Sequence, residues 1–104
     1  MPITISDYSF DGPFTSPAQL LDRAGVYVVL TRTVTATSYQ VVDVGESAQV
    51  KTRIESHDRS PCWTRNSQGE LSVAVLYTPN AHQSQRMQIE QALRDKFRPV
   101  CGIR

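Results

Sequence analysis

The sequence lacks a strong charge of either sign, because eleven Lys and Arg residues oppose ten Asp and Glu residues, for a formal net charge of +1. Proteins that bind nucleic acid over a broad surface are markedly basic, so this balance leaves only a local basic face for such a role. The chain also lacks a long apolar run. Its longest, Val26 to Leu30, is far too short to cross a membrane, and we expect no membrane contact.

Cysteine and targeting signals are equally sparse. The first eight residues have neither the basic start nor the apolar centre of a secretory signal, so we expect a cytoplasmic protein. The two cysteines, Cys62 and Cys101, lack the paired spacing of a zinc site. A disulfide between them is one alternative, but in a cytoplasmic protein we expect reduced thiols.

The 104 residues predict a single α+β domain with a three-stranded, mainly antiparallel sheet flanked by helices. Runs rich in Val, Thr and Tyr predict strands over residues 25–35, 39–44 and 71–77. Caps and apolar spacing predict a short helix within 16–24, a helix from the Ser47 cap to His57, and a helix over 84–97. Residues 1–15 predict either an edge strand or an arm packed across the core, and residues 58–70 predict a loop.

The stretch from Val41 to His57 carries the first candidates for chemistry. It predicts a buried strand, a turn at Gly45 and a helix, with Arg53 and His57 four residues apart on one helical face. A cation and an imidazole beyond such a corner suit chemistry on an anion, although a solvated helix face explains them equally well. Asp43 ends the apolar strand, so its carboxylate must reach water, a cation or a hydrogen-bond donor.

Two further candidates lie outside that stretch. Tyr27 is in an apolar strand, where a tyrosine is usually a core residue. Glu90 lies four residues from both Arg86 and Arg94, which is also the pattern of a surface ion-pair ladder on a helix. The apolar stripe of that helix is predicted to consist of four residues: Ile89, Ala92, Leu93 and Phe97.

The order of these residues along the chain resembles the GIY-YIG nuclease family. Gly25-Val26-Tyr27 matches the first motif and Val44-Gly45 the last two positions of the second. Arg53, His57 and Glu90 then fall where that family has its catalytic arginine, its helix His or Tyr, and its metal-binding glutamate. The resemblance covers residues 25–101, roughly three-quarters of the chain, and implies that residues 1–24 are an arm and a short helix added to the core.

The resemblance implies hydrolysis of phosphodiester bonds, with DNA a more probable substrate than RNA. One divalent cation, Mg²⁺ or Mn²⁺, would bind Glu90, and Arg53 would balance the charge on the phosphate. Tyr27 or His57 would orient or deprotonate the attacking water. Asp43 replaces the tyrosine of the second motif and becomes a further candidate for metal ligand or base.

Other departures support an alternative. Glu46 follows the second motif where many family members carry a lysine, and Cys101 stands where they often carry an asparagine. A catalytically inactive module that binds nucleic acid, a protein partner or a second copy of itself is therefore the competing hypothesis. For either nucleic-acid role, the sequence predicts a basic patch with an aromatic residue for base stacking, composed of Lys51, Arg53, Arg59, Arg65 and Trp63.

Overall fold

A five-stranded antiparallel sheet forms the centre of the protein in the computed structural model, which describes residues 2–33 and 35–102. The strands are β1 (Pro2–Ile5), β2 (Tyr8–Phe14), β3 (Gly25–Arg32), β4 (Gln40–Ser47) and β5 (Glu70–Tyr77). Their spatial order is β1-β2-β5-β3-β4, so β5 is central, β3 lies between β5 and β4, and β4 is an edge strand. The predicted α+β class is confirmed.

The three-stranded sheet is wrong by two strands, because residues 2–14 add β1 and β2 to it. Pro2–Ile5 and Tyr8–Phe14 form a hairpin, and Tyr8–Phe14 extends the sheet by pairing with β5. The apolar residues that had suggested an edge strand supply the buried Ile5 and Phe10. The predicted helix within residues 16–24 is a single 3-10 turn, Pro17–Gln19, capped by the Ser16 side chain. Val34, in the predicted strand 25–35, lies outside the described residues.

Three α-helices pack on the two faces of the sheet: α1 (Val50–Glu55), α2 (Ser60–Arg65) and α3 (Gln83–Phe97). One core cluster joins Val29 of β3 to Ile54 of α1 and Trp63 of α2, and the other joins Val28 of β3 to Leu93 of α3. Alternate residues of β3 therefore face opposite helical layers, as strand geometry requires. Residues 60–65 were predicted as part of a loop but form helix α2, and Pro61 suits the first turn of this helix.

Helix α1 is shorter than predicted and is held differently at its start. It begins at Val50, and Ser47 accepts a hydrogen bond from the Gln49 amide outside it. The Asp22 carboxylate caps the helix from a distant part of the chain, accepting from the Thr52 amide at 2.9 Å and from the Thr52 hydroxyl at 2.8 Å. The helix ends at Glu55, so His57 lies in the following loop.

The two cysteines form a disulfide, contrary to the expected free thiols. Cys62 of α2 is bonded to Cys101, which follows α3, and the bond ties the C-terminal segment to the helical layer beside β4. Disulfides are commoner in oxidising compartments than in cytosol. The disulfide therefore weighs against the expected cytoplasmic location, which stays a prediction. No described helix is long and apolar enough to cross a membrane.

Candidate active site

A polar cleft of about 190 Å³ opens at the edge strand β4, between the helical layers of the two sheet faces. It brings together residues from five parts of the fold: Tyr27, Gly45, Glu46, Arg53, Arg59, Gln83, Met87 and Glu90. Three of the predicted site residues, Tyr27, Arg53 and Glu90, therefore lie in one cleft although 63 residues separate the first from the last. His57 contacts the cleft through Tyr27.

Tyr27 reaches the cleft because Gly45 has no side chain. The two residues are directly paired across β3 and β4. A Cβ atom at Gly45 would overlap the hydroxyl and the adjacent ring carbon of Tyr27. The phenol thus passes across the edge strand in the space that any other residue at position 45 would fill. The glycine of the second motif and the tyrosine of the first are linked by this packing requirement.

The Tyr27 hydroxyl and the His57 ring form a buried hydrogen bond of 2.6 Å between Oη and Nε2. The Arg59 amide donates to Nδ1 of His57 at 3.1 Å, and Oδ1 of Asp58 lies 3.2 Å from the same nitrogen. Because the amide proton occupies the Nδ1 lone pair, we assign the proton of the neutral imidazole to Nε2, with the histidine as the donor to Tyr27. The hydroxyl proton of Tyr27 remains free to donate elsewhere. His57 therefore orients the phenol oxygen.

The ionisation of this pair is set mainly by burial. Burial raises the pKa of Tyr27 to about 12, against the opposing charges of Arg59 and Arg53. Burial and the same two cations lower the pKa of His57 to about 4. At neutral pH both groups are uncharged, so proton transfer from Tyr27 to His57 is strongly uphill. A change in the charge within the cleft is needed before Tyr27 can lose its proton.

Two arginines line the cleft, in different settings. Among the described residues, the Arg53 side chain is paired with Asp58, with 3.0 Å between Nη2 and Oδ1, and 39% and 75% of these two side chains are exposed. An ion pair this exposed contributes little free energy, so an incoming anion can replace Asp58. Arg59 instead donates from Nε to the buried Asp43 at 2.7 Å. Burial opposes its charge, but the hydrogen bond and charge of Asp43 raise the pKa of Arg59.

Asp43 is not in the cleft, contrary to its predicted role as base or metal ligand. It is fully buried and accepts four hydrogen bonds: from the Val44 amide, Trp63 Nε1, Arg59 and Arg94. The expectation that this carboxylate must find a cation or a donor is confirmed, and it finds both. Its charge is neutralised behind the cleft and does not face a bound anion.

Helix α3 turns acidic and basic groups inward in its first half. Arg86 and Glu90 are both buried, and Ala92 of the predicted apolar stripe is exposed. Arg86 pairs with Glu46 at 3.0 Å, which offsets the negative charge that Glu46 brings to the cleft. Glu90 has an ion pair of 3.6 Å with Arg94 Nε and no hydrogen bond to any described residue. Of the ladder expected on the surface, only the Glu90–Arg94 pair forms among the described residues, because Arg86 pairs with Glu46 instead.

The basic patch proposed for nucleic acid is only partly assembled. Trp63 is 6% exposed and bonded to Asp43, so its predicted role in base stacking is wrong. Lys51 and Arg65 lie outside the lining of the cleft. Asp43 is a buried acid that needs an N–H donor, and the single tryptophan of the chain can supply one. This need is the sequence signal that would have placed Trp63 in the core. Arg94 was missed as a partner of Asp43 because 51 residues separate the two.

No group of three or more His, Cys, Asp and Glu side chains within residues 2–33 and 35–102 could hold a metal ion. The cleft holds two carboxylates, Glu90 and the Arg86-paired Glu46, with two cationic side chains, Arg53 and Arg59. It also holds the phenol of Tyr27, which is hydrogen-bonded to a neutral imidazole. This combination suits a phosphate group, which accepts hydrogen bonds from guanidinium and phenol donors.

Comparison with protein-family models, with curated proteins and with solved structures found no match to this chain.

Proposed function

We propose that the protein is a divalent-metal-dependent endonuclease that hydrolyses DNA phosphodiester bonds, with the GIY-YIG family as the resemblance that suggested it. The observation that carries the proposal is the convergence of Tyr27, Arg53 and Glu90 in one cleft at the edge of the sheet. These residues come from β3, α1 and α3, and packing of an apolar core does not require any of their polar groups to meet.

The setting of Glu90 fits a divalent cation. Its carboxylate lies in the cleft, and no described residue donates a hydrogen bond to it. Mg²⁺ commonly binds through one or two protein carboxylates and completes its shell with water and substrate phosphate. The nearby Arg94 is neutralised by Asp43 at 2.8 Å, which reduces its repulsion of a cation at Glu90. When bound, Mg²⁺ or Mn²⁺ would polarise the phosphate and stabilise the leaving oxygen.

The other residues act on the phosphate and the water. Arg53 and Arg59 donate to non-bridging oxygens of the phosphate, on which negative charge grows during attack. Tyr27 orients the attacking water. To act as base it first releases its own proton to solvent, and the Nε2–H group of His57 stabilises the phenolate, which becomes a neutral phenol again when it takes the proton of the water. Since the pKa of free Tyr27 is about 12, this proton transfer depends on the charge assembled in the complex with substrate.

The alternative, an inactive module that binds nucleic acid or a protein, rests on Glu46. Its carboxylate lines the same cleft, although Arg86 at 3.0 Å and Gln83 at 3.4 Å both bind it. A second acid in the cleft opposes binding of an anion. Salt-dependent binding of DNA without cleavage is the result that this alternative predicts.

Cleavage of supercoiled plasmid and of branched DNA in Mg²⁺ or Mn²⁺ tests the proposal. We expect wild type to nick DNA and Glu90→Gln, which keeps the shape of the side chain, to be slower by at least about 100-fold because the charge that holds the cation is lost. Glu55→Gln, on the exposed end of α1, is the matched control and should cleave like wild type. Equal rates for wild type and Glu90→Gln would refute the assignment.

A further inference from the structure

Asp43 occupies an unusual position for an acid: it is 0% exposed, in a β-strand, beneath a cleft proposed to receive an anion. A bulge in the pairing of β3 and β4, between Val29 and Leu30, lets Val42 and Asp43 both turn toward the layer of α1 and α2. Burial of an unpaired carboxylate is very costly. The local fold therefore requires cationic and N–H partners around Asp43.

The two arginines bound to Asp43 depend on it to different extents. Arg94 also donates to the carbonyls of Val44, Cys101 and Gly102, so it is held in several ways. The Arg59 side chain has no hydrogen-bond partner among the described residues other than Asp43. Only Asp43 fixes the direction in which the Arg59 guanidinium lies.

The terminal nitrogens of the Arg59 guanidinium remain available to bind a ligand. Nε is used by Asp43, the side chain remains 28% exposed, and the residue lines the cleft beside Arg53. A guanidinium held through Nε keeps four N–H donors on its two terminal nitrogens in a rigid plane. Two such groups in one cleft can contact a phosphate from two directions.

We propose that Asp43 is a positioning residue, which holds Arg59 as the second guanidinium of a two-arginine phosphate site with Arg53. The ligand is a phosphate group, either of a nucleic-acid backbone or as the free anion. The inference rests on the proposed function in that it uses the same cleft, but it concerns binding alone and involves no bond cleavage.

The test is a titration of the folded protein with inorganic phosphate, in which the ¹⁵N–¹H signal of Arg53 Nε measures affinity in every variant. The ¹⁵N–¹H signal of Arg59 Nε, assigned by its loss in Arg59→Gln, reports contact of phosphate with Arg59. We expect this signal to shift in wild type, and phosphate to bind at least about tenfold more weakly to Arg59→Gln and to Asp43→Asn. The double variant should bind no more weakly than either single variant, because both changes remove one contact. Unchanged affinity in Asp43→Asn, or no response of wild type to phosphate, would overturn the proposal.

The Trp63→Phe variant distinguishes a purely structural role of Asp43 from its role in positioning Arg59. This change removes another hydrogen bond to Asp43 and leaves Arg59 bound to it. We expect Trp63→Phe to be less stable than wild type but to bind phosphate within about twofold of it. A loss as large as that in Asp43→Asn would show that general loosening, not the direction of Arg59, sets the affinity.

If Asp43→Asn does not fold, Arg59→Lys decides the matter, since it keeps a cation beside Asp43 but presents no fork of donors. Affinity equal to wild type would contradict the proposal, and a loss close to that of Arg59→Gln would support it. Because no DNA or metal is present, phosphate binding without nuclease activity would leave this site standing while the proposed function fails. Nuclease activity without a response of the Arg59 signal to phosphate would support the proposed function and overturn the two-arginine phosphate site.

Discussion

Gly45 and Tyr27 show how one missing side chain opens a site. Alanine at position 45 would overlap the Tyr27 hydroxyl, so the ring must move away from the cleft. We expect Gly45→Ala to destabilise the protein by about 1–3 kcal/mol, the usual cost of overpacking, and to abolish cleavage. Chemical denaturation of Gly45→Ala, Tyr27→Ala and the double variant checks this, because the alanine should cost little once the ring is gone. Additive losses would contradict the packing argument.

His57 makes stability depend on pH. Its pKa is 6.5 in the unfolded chain and about 4 in the folded protein, so the unfolded chain binds more protons between these values. Stability should therefore fall as the pH is lowered from about 6.5 to about 4, by up to about 3 kcal/mol. Urea unfolding at several pH values measures it. In His57→Gln this part of the pH dependence should vanish; an unchanged slope would show that other groups cause it.

The members of the site could be predicted where their order along the chain indicated them. They could not be predicted where a residue's position depends on contacts with distant parts of the chain. Tyr27, Arg53 and Glu90 do share a cleft, as their order along the chain had suggested. The exposure of Trp63 and the role of Asp43 were wrong because each depends on the other, across a separation of 20 residues. A sequence shows that Asp43 needs a partner but not which partner will be near.

At the scale of elements, the strands and helices with strong periodicity were predictable and the short ones were not. β3, β4, β5 and α3 lie close to their expected ranges. The hairpin of β1 and β2 was not distinguished from an arm, because the alternation of apolar and polar residues there is loose and interrupted by a turn. Helix α2 was missed because its six residues are too few to show a helical repeat of apolar residues. Leu93 of the predicted α3 stripe is buried but Ala92 is exposed, since buried polar residues at 86 and 90 set the orientation of the helix.

The disulfide joins α2 to the segment that follows α3 and should contribute substantially to the stability of the fold. Cys62 and Cys101 are 39 residues apart, and closing a loop of that length restricts the unfolded chain. We expect a thiol reductant to lower the free energy of unfolding by about 2–4 kcal/mol. The matched control is Cys62→Ala with Cys101→Ala, which should show the lower stability with or without reductant. A wild type indifferent to reductant would contradict the structural role given to this bond.

At the scale of the whole molecule, a nearly neutral chain brings four of its eleven Lys and Arg side chains to one cleft and its margin. Arg53 and Arg59 line the cleft, while Arg86 and Arg94 neutralise the acids beside it. The net charge of +1 does not show this local arrangement, in which Asp58, Asp43, Glu46 and Glu90 pair with these arginines. The sequence could predict the α+β class, but only the packing of α1 and α3 against the edge strand decides which cations share a surface.

The most direct test of the account is a crystal structure with Mn²⁺ and a short DNA duplex, with Mn²⁺ located by its anomalous scattering. The account predicts an anomalous peak at the Glu90 carboxylate and a backbone phosphate in contact with Arg53 and Arg59, with the Tyr27 hydroxyl facing that phosphate. The same peak should be missing in Glu90→Gln. A cleft without metal, or DNA bound on another surface, would contradict it.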